Sequence, residues 1–242
     1  MSLPAKFRIL PCGDAALTVE FGDTVDSALS ARVLGFDAAV ARAAPAGIVE
    51  TAPTYRSLFV QYDPVVVGFD ELAASLRAIA EATSTQQANG RRWRVPVVYG
   101  GEAGIDLDDV ARRHSITTRE LIARHAAGDY RIYMIGFTPG FAYLGGLDPA
   151  IATPRRDAPR ALTPPGAIMI GGVQACVQCL AGPSGWHVLG RTPMRNFHPA
   201  RDPMFLMETG DSVAFHEVPA REWASLERAA ERGEPVAELV AA

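Results

Sequence analysis

The residues best suited to chemistry are three guanidiniums within six positions, Arg155, Arg156 and Arg160, set among Pro154 and Pro159. Arginine presents a planar fork of donors that takes a carboxylate or phosphate two bonds at a time, and neighbouring prolines hold the chain extended. Arg191 and Arg195 can add to the same field. The competing reading is a solvated basic loop. Cys176 and Cys179 form a lone CxxC, a spacing used by zinc knuckles and redox dithiols. In a β-like run, however, residues three apart point to opposite faces, and no second ligand pair accompanies them. Two structural thiols are expected, to which Cys12 adds nothing. Ser184 and His187 stand three apart in GPSGWH without matching the GxSxG elbow of esterases, so Ser184 reads as a turn serine. Neither a Walker sequence nor GxGxxG is present, which leaves no standard phosphate loop.

Immediately upstream lies the densest stretch of the chain, Tyr130 to Leu147, reading YRIYMIGFTPGFAYLGGL. Its aromatic residues alternate with Thr138, Pro139, Gly140, Gly145 and Gly146, which interrupt any continuous helix or strand. A loop of this composition is a buried turn or a binding surface, because glycine permits close backbone approach. His125 precedes it at the end of a helical pattern, where it would cap the helix and oppose its dipole.

The elements that must position these groups follow from periodicity. Leu17, Val19 and Phe21 alternate with polar residues after a turn at Pro11, Gly13 and Asp14, as in a half-buried strand. Leu29, Val33, Phe36 and Val40 recur at helical spacing and stop before Pro45 and Gly47. Two strands, Ile48 to Ala52 and Leu58 to Tyr62, precede a helix that Asp70 can cap, with Leu72, Leu76 and Ile79 on its apolar face. The polar run Thr83 to Gly90 has linker composition. A cut near Asn89 gives an α+β domain over 1–89, for which a ferredoxin-like arrangement is the natural expectation, and a second domain over 90–242.

In the second domain Trp93, Val95, Val97 and Tyr99 mark an amphipathic strand in which Pro96 suggests a sheet edge. Two short helices follow, the first capped by Asp106, the second opened by a Thr117/Glu120 capping box. Short apolar runs then recur (Ala167 to Ile170, Ala175 to Leu180, Trp186 to Leu189, Met204 to Met207, Val213 to Phe215) and indicate a sandwich or barrel. Gly210 and Asp211 mark a tight turn, and a helix near Glu222 to Glu231 leads into a tail expected to fray.

Bulk properties bound the function. With 242 residues and 48% hydrophobic content the chain can bury a substantial core. A net charge of −4 argues against a nucleic-acid or anionic-membrane surface, which requires a basic face. No apolar run reaches the roughly 20 residues of a membrane span, and the N-terminus lacks the apolar core of a signal peptide, so a cytoplasmic protein with reduced thiols is expected.

Taken together, His125, Tyr130, the run Gly136 to Gly146, Thr153 to Arg156, Pro159-Arg160, Pro165-Gly166, Gly171, Gln174, Pro183, Gly185-Trp186, Gly190 to Pro193 and Gly210-Asp211 form an ordered set of motifs. This set resembles the small subunit of bacterial 5-oxoprolinase, a KipI-like family also labelled allophanate hydrolase subunit 1. It spans nearly the whole second domain, and in the first domain GDAAL from Gly13 to Leu17 agrees. The resemblance implies an N-terminal α/β domain and a C-terminal cyclophilin-like β-barrel. It implies ATP-dependent opening of 5-oxoproline to glutamate, with ATP and magnesium as cofactors. A large-subunit partner of related barrel fold and a third hydrolase component would complete the assembly. On this resemblance Arg155, Arg156 and Gln174 take catalytic roles. Arg160, Arg191, Tyr143, Trp186 and Gly140 bind substrate or phosphate, and no residue binds a metal. Two other functions belong to related proteins: a carboxyltransferase or allophanate-processing component acting on a urea-derived substrate, and a non-catalytic inhibitor of a histidine kinase. The chain departs from the family at Ala142, in the run Ala175 to Cys179, and at His187, changes expected to line the cleft and alter its substrate.

Overall fold

The computed structural model describes residues 7–83 and 90–240, so all of the expected linker except Thr83 and Gly90 lies outside the described residues. The chain divides into two compact units, residues 1–89 and 90–242.

In the first unit β1 (Arg8–Pro11), β2 (Ala16–Glu20), α1 (Ser27–Ala43), β3 (Ile48–Pro53), β4 (Ser57–Tyr62) and α2 (Phe69–Ala82) follow in order. The sheet order is β1-β2-β4-β3, and all its pairings are antiparallel. Insertion of β4 between β2 and β3 makes a split βαβ unit, the ferredoxin-like device. The outer strand beside β2 comes from the N-terminal hairpin. Leu17, Val19, Leu58 and Val60 alternate onto one sheet face and meet Val33, Phe36 and Val40 of α1 and Leu72 and Leu76 of α2. Asp26 caps α1 by accepting from the amides of Ala28 and Leu29 at 2.9 and 3.0 Å. For α2 the expected cap is corrected: Gly68 holds the N-cap position, and Asp70 lies in the first turn, where its charge faces the positive helix end.

The second unit contains β5 (Arg92–Tyr99), α3 (Leu107–Arg113), α4 (Thr118–Ala126), β6 (Tyr130–Ile135), β7 (Ala142–Gly145), β8 (Arg160–Thr163) and β9 (Ala167–Gly171). It continues through β10 (Gln174–Val177), β11 (Gly182–Ser184), β12 (His187–Arg191), β13 (Ser212–Glu217), α5 (Trp223–Glu231) and β14 (Glu238–Val240). Seven of these strands run β12-β9-β10-β7-β6-β13-β5, and a further β12–β5 pairing closes them into a barrel. At the seam Gly190 pairs with Tyr99. A Cβ on Gly190 would stand 2.6 Å from the Val98 carbonyl oxygen, so the closure requires glycine there. Val95, Val97, Ile132, Leu144, Ile168, Ile170, Ala175 and Val177 share the barrel's main core. The alternate residues Met169, Cys176 and Val188 form a separate cluster on the outside of the wall.

Several sequence expectations change here. The strand carrying Pro96 is internal: β5 pairs with β13 on one flank and with β14 and then β12 on the other. Pro96 lies between the registers of those last two partners, where no ladder amide is needed. The tail does not simply fray, since Glu238–Val240 pairs with Arg92 to Arg94. Met204 to Met207 forms no strand and contributes an isolated bridge, Phe197 with Phe205. The capping box is half made. Thr117 accepts from the Glu120 amide at 3.1 Å, while the Glu120 carboxylate takes Arg124 one turn on. Among the described residues no helix is long and apolar enough to cross a membrane.

Candidate functional site

The outer cluster of the barrel wall floors a cleft of about 330 Å³, at the small end of the range of about 300–1,000 Å³ typical of ligand pockets. The β6–β7 hairpin supplies Phe137 and Phe141 from its loop and Tyr143 from β7. Their rings pass contact along the cleft. Phe137 to Phe141 is 5.7 Å, Phe141 to Tyr143 is 4.6 Å, and Tyr143 to Trp186 is 6.1 Å between centroids. Pro159 and Pro183 also line the cleft. Burial pushes the Tyr143 hydroxyl pKa up, so it stays protonated near neutral pH.

The arginine cluster is divided by a carboxylate fifty residues away. Asp106 is 4% exposed. Its two oxygens accept from Arg160 at 2.8 and 2.6 Å, from Arg156 at 3.2 Å and from the Val188 amide at 2.8 Å. The Asp106 amide in turn donates to the Val188 carbonyl at 3.0 Å. This corrects its reading as a helix cap: Asp106 stands at the N-cap position of α3, but its side chain makes no capping bond. Arg160 is thereby tied into the wall, and Arg156 reaches the cleft with one amino group held. Arg155 is different. It has no carboxylate partner among the described residues, and its guanidinium sits 5.4 Å from the Trp186 ring centroid, within range of a cation–π contact. The Arg156 amide donates to the Gly185 carbonyl at 2.8 Å, which fastens this segment beside Trp186.

The structure therefore brings Arg155, Arg156, Tyr143 and Trp186 together in one cleft. It does not bring the remaining candidates there. Arg160 faces Asp106. Gln174 lies on β10 beyond Cys176, opposite Gly171. Arg191 donates to the Pro165 carbonyl and covers the Trp223 ring at 4.7 Å. Gly140 packs on Phe197 and the Cys179 sulfur, and its carbonyl accepts from Asn196.

The departures from the family pattern also miss the cleft lining. Ala142, Ala175 and Val177 belong to the barrel core, and Cys176 lies in the buried outer cluster with Tyr143. The His187 ring bonds the Pro154 carbonyl at 2.9 Å. Both Cys176 and Cys179 are buried and unpaired, and burial raises both thiol pKa values, which makes them poor nucleophiles. Among the described residues no group of three or more His, Cys, Asp or Glu could hold a metal. His125 does not act as a charged helix cap. It is fully buried, its Nδ1 lies 2.8 Å from the Tyr99 hydroxyl, and burial lowers its pKa to about 3.

A second hollow, about 520 Å³, opens at the C-terminal end of α4. Its arginine, Arg124, is already paired with Glu120 and Asp148, so the cleft beside Trp186 has the stronger claim to an anionic ligand. Sequence reading took Asp106 for a helix cap and missed it as the partner of Arg156 and Arg160, a role for which no local signal separates it from Asp108 and Asp109. The clue was indirect: an arginine cluster in an otherwise apolar context calls for a carboxylate.

A closed barrel with a cleft on its outer wall, in a chain that also carries a split βαβ unit, is the fold seen in carboxyltransferase-type domains. The fold matches the urea amidolyase of K. lactis with a TM-score of 0.83 over 98% of this chain and 17% of that one, at 20% identity. The chain belongs to the family described as carboxyltransferase domain, subdomain C and D, which matches residues 7–207. It is 32% identical over 91% of its length to the B-type 5-oxoprolinase subunit of Bacillus subtilis, covering 97% of that protein. It is also similar to the solved structure of TTHA0988, with a TM-score of 0.76 and 33% identity over 85% of this chain. The present chain spans 40% of that larger one.

Proposed function

We propose that the chain is a B-type subunit of a 5-oxoprolinase, supplying a substrate-carboxylate site to an assembly that opens 5-oxoproline to glutamate. One observation carries this reading: Arg155, free of any carboxylate partner among the described residues, lies against Trp186 at an aromatic cleft of small-metabolite size. A five-membered lactam acid has the two features this surface recognises, a carboxylate for the guanidinium and a flat ring for the aromatic wall. Arg155 would bind and orient the carboxylate, Arg156 would add its unheld donors, and Tyr143, Phe141 and Trp186 would exclude water from the ring.

The names carried by the relatives support a role in a multi-subunit enzyme. A nucleoside triphosphate with magnesium does not fit this cleft, because one guanidinium is tied to Asp106, a second is partly held, and a triphosphate needs several cations or a nest of amides. ATP and the metal would then belong to the partner components, a large subunit of related barrel fold and a third hydrolase protein. Phosphoryl activation of the lactam oxygen would take place there.

Co-expression of the chain with those two components, followed by an assay of ATP-dependent glutamate formation from 5-oxoproline, tests the proposal. Turnover that requires all three proteins is expected. An assembled complex without turnover overturns it.

A further inference from the structure

Phe137 stands at the rim of the cleft in a backbone conformation that bulky side chains avoid. Its φ is +70°. The Thr138 amide donates to the Gly136 carbonyl at 2.9 Å, closing the rare γ-turn that has a positive φ at its centre and is strained in L-residues. The turn is braced on both sides, since the Gly136 amide bonds the Phe141 carbonyl at 3.1 Å and the Phe141 amide bonds the Thr138 carbonyl at 3.0 Å. Glycine stands one position earlier, at Gly136, and does not take the positive φ.

Nothing in core packing accounts for this arrangement. Phe137 is 64% exposed, and its ring meets that of Phe141 edge-on at the cleft lip. Strain held at a braced turn, with an apolar ring presented to solvent beside a binding cleft, is the pattern of a ligand clamp. We propose that Phe137 is a specificity-determining residue of the cleft, its ring covering the apolar ring of a small carboxylic acid whose carboxylate is held by Arg155. This rests on the reading of the cleft as the site for a lactam acid. The strain predicts that glycine at this position stabilises the fold relative to alanine while both weaken binding alike, since both remove the ring and only glycine tolerates the turn.

The full chain and its F137A, F137G and F137Y variants can be compared by thermal unfolding and by calorimetric titration with 5-oxoproline. F137A and F137G should each weaken binding by about tenfold, the scale of one aromatic contact. F137Y should bind within about twofold of the original chain, because the ring is kept. F137G should melt about 2–4 °C above F137A. If the unsubstituted chain binds and F137A binds equally well, this inference fails and the proposed function stands, including the case in which F137A instead loses a protein partner. If the unsubstituted chain does not bind 5-oxoproline, the proposed function fails and the inference falls with it. F137G melting no higher than F137A removes the strain on which the argument is built.

Discussion

The indole of Trp186 lies so close upon Gly171 that a Cβ at Gly171 would stand 2.7 Å from the ring. Gly171 is on the outward side of β9, in step with Met169 and Ala167 of the outer cluster. The absence of a side chain is what lets Trp186 lie flat against the wall and offer its face to Arg155. Gly171→Ala should displace the indole and destabilise the second unit by about 1–3 kcal/mol, the usual scale of overpacking. Urea unfolding and a red shift of tryptophan emission check this, and an unshifted spectrum with unchanged stability would count against the packing described.

Asp106 joins three segments through one buried carboxylate, so its loss leaves two guanidiniums and an amide without their acceptor. Asp106→Ala should lower stability by about 3 kcal/mol, the low end for breaking a buried pair, because Arg156 and Arg160 retain 29% and 22% side-chain exposure. Asp106→Asn can still accept from the Val188 amide and should lose less. Equal losses from the two substitutions in chemical unfolding would show that the charge carries the whole effect and the retained acceptor for the Val188 amide none, against the smaller loss expected for asparagine.

Asp106 also shows where sequence reading stopped. The arginines were visible as a cluster, and the aromatic stretch before them was visible as a turn or binding surface, because both are local. Their division by Asp106 was not visible, since it depends on β12 returning beside the start of α3. Alternation at Trp93 to Tyr99 identified β5, but the closure of Gly190 on Tyr99 has no local signature and came only with the resemblance to a barrel family. His125 was misplaced for the same reason. Its helical position suggested a cap, whereas tertiary packing under Phe215, 5.0 Å away between ring centroids, buries and neutralises it.

The burial of His125 makes stability depend on pH. Its folded pKa, about 3, lies below the ordinary histidine value of about 6.5. Between these values the unfolded chain binds the proton and the folded chain does not. The contribution is therefore fully present above about pH 6.5 and is lost as pH falls toward 3, with a slope of up to about 1.4 kcal/mol per pH unit. His125→Phe should flatten the unfolding free energy between pH 6.5 and 5, where few carboxylates titrate. An unchanged slope in that window would mean that His125 is protonated in the folded chain.

Arg155 and Arg160 carry the same charge five residues apart and should behave oppositely. Arg160 makes two short bonds to a buried carboxylate, so Arg160→Gln removes fixed charge from the wall and should destabilise by about 2–3 kcal/mol, as for hydrogen bonds to charged groups. Arg155 is exposed and lacks an acidic partner among the described residues, so Arg155→Gln should change stability by no more than about 0.5 kcal/mol. The order reverses for ligand. Loss of a charge-assisted contact of about 1.5–3 kcal/mol corresponds to a fall of about tenfold to a hundredfold in 5-oxoproline affinity for Arg155→Gln. Lysine at this position restores the charge without the planar fork and should recover only part of that loss. Paired melting and titration experiments on the two glutamine variants separate the roles, because a solvated basic loop would show neither effect and a purely structural cluster would show both residues destabilising.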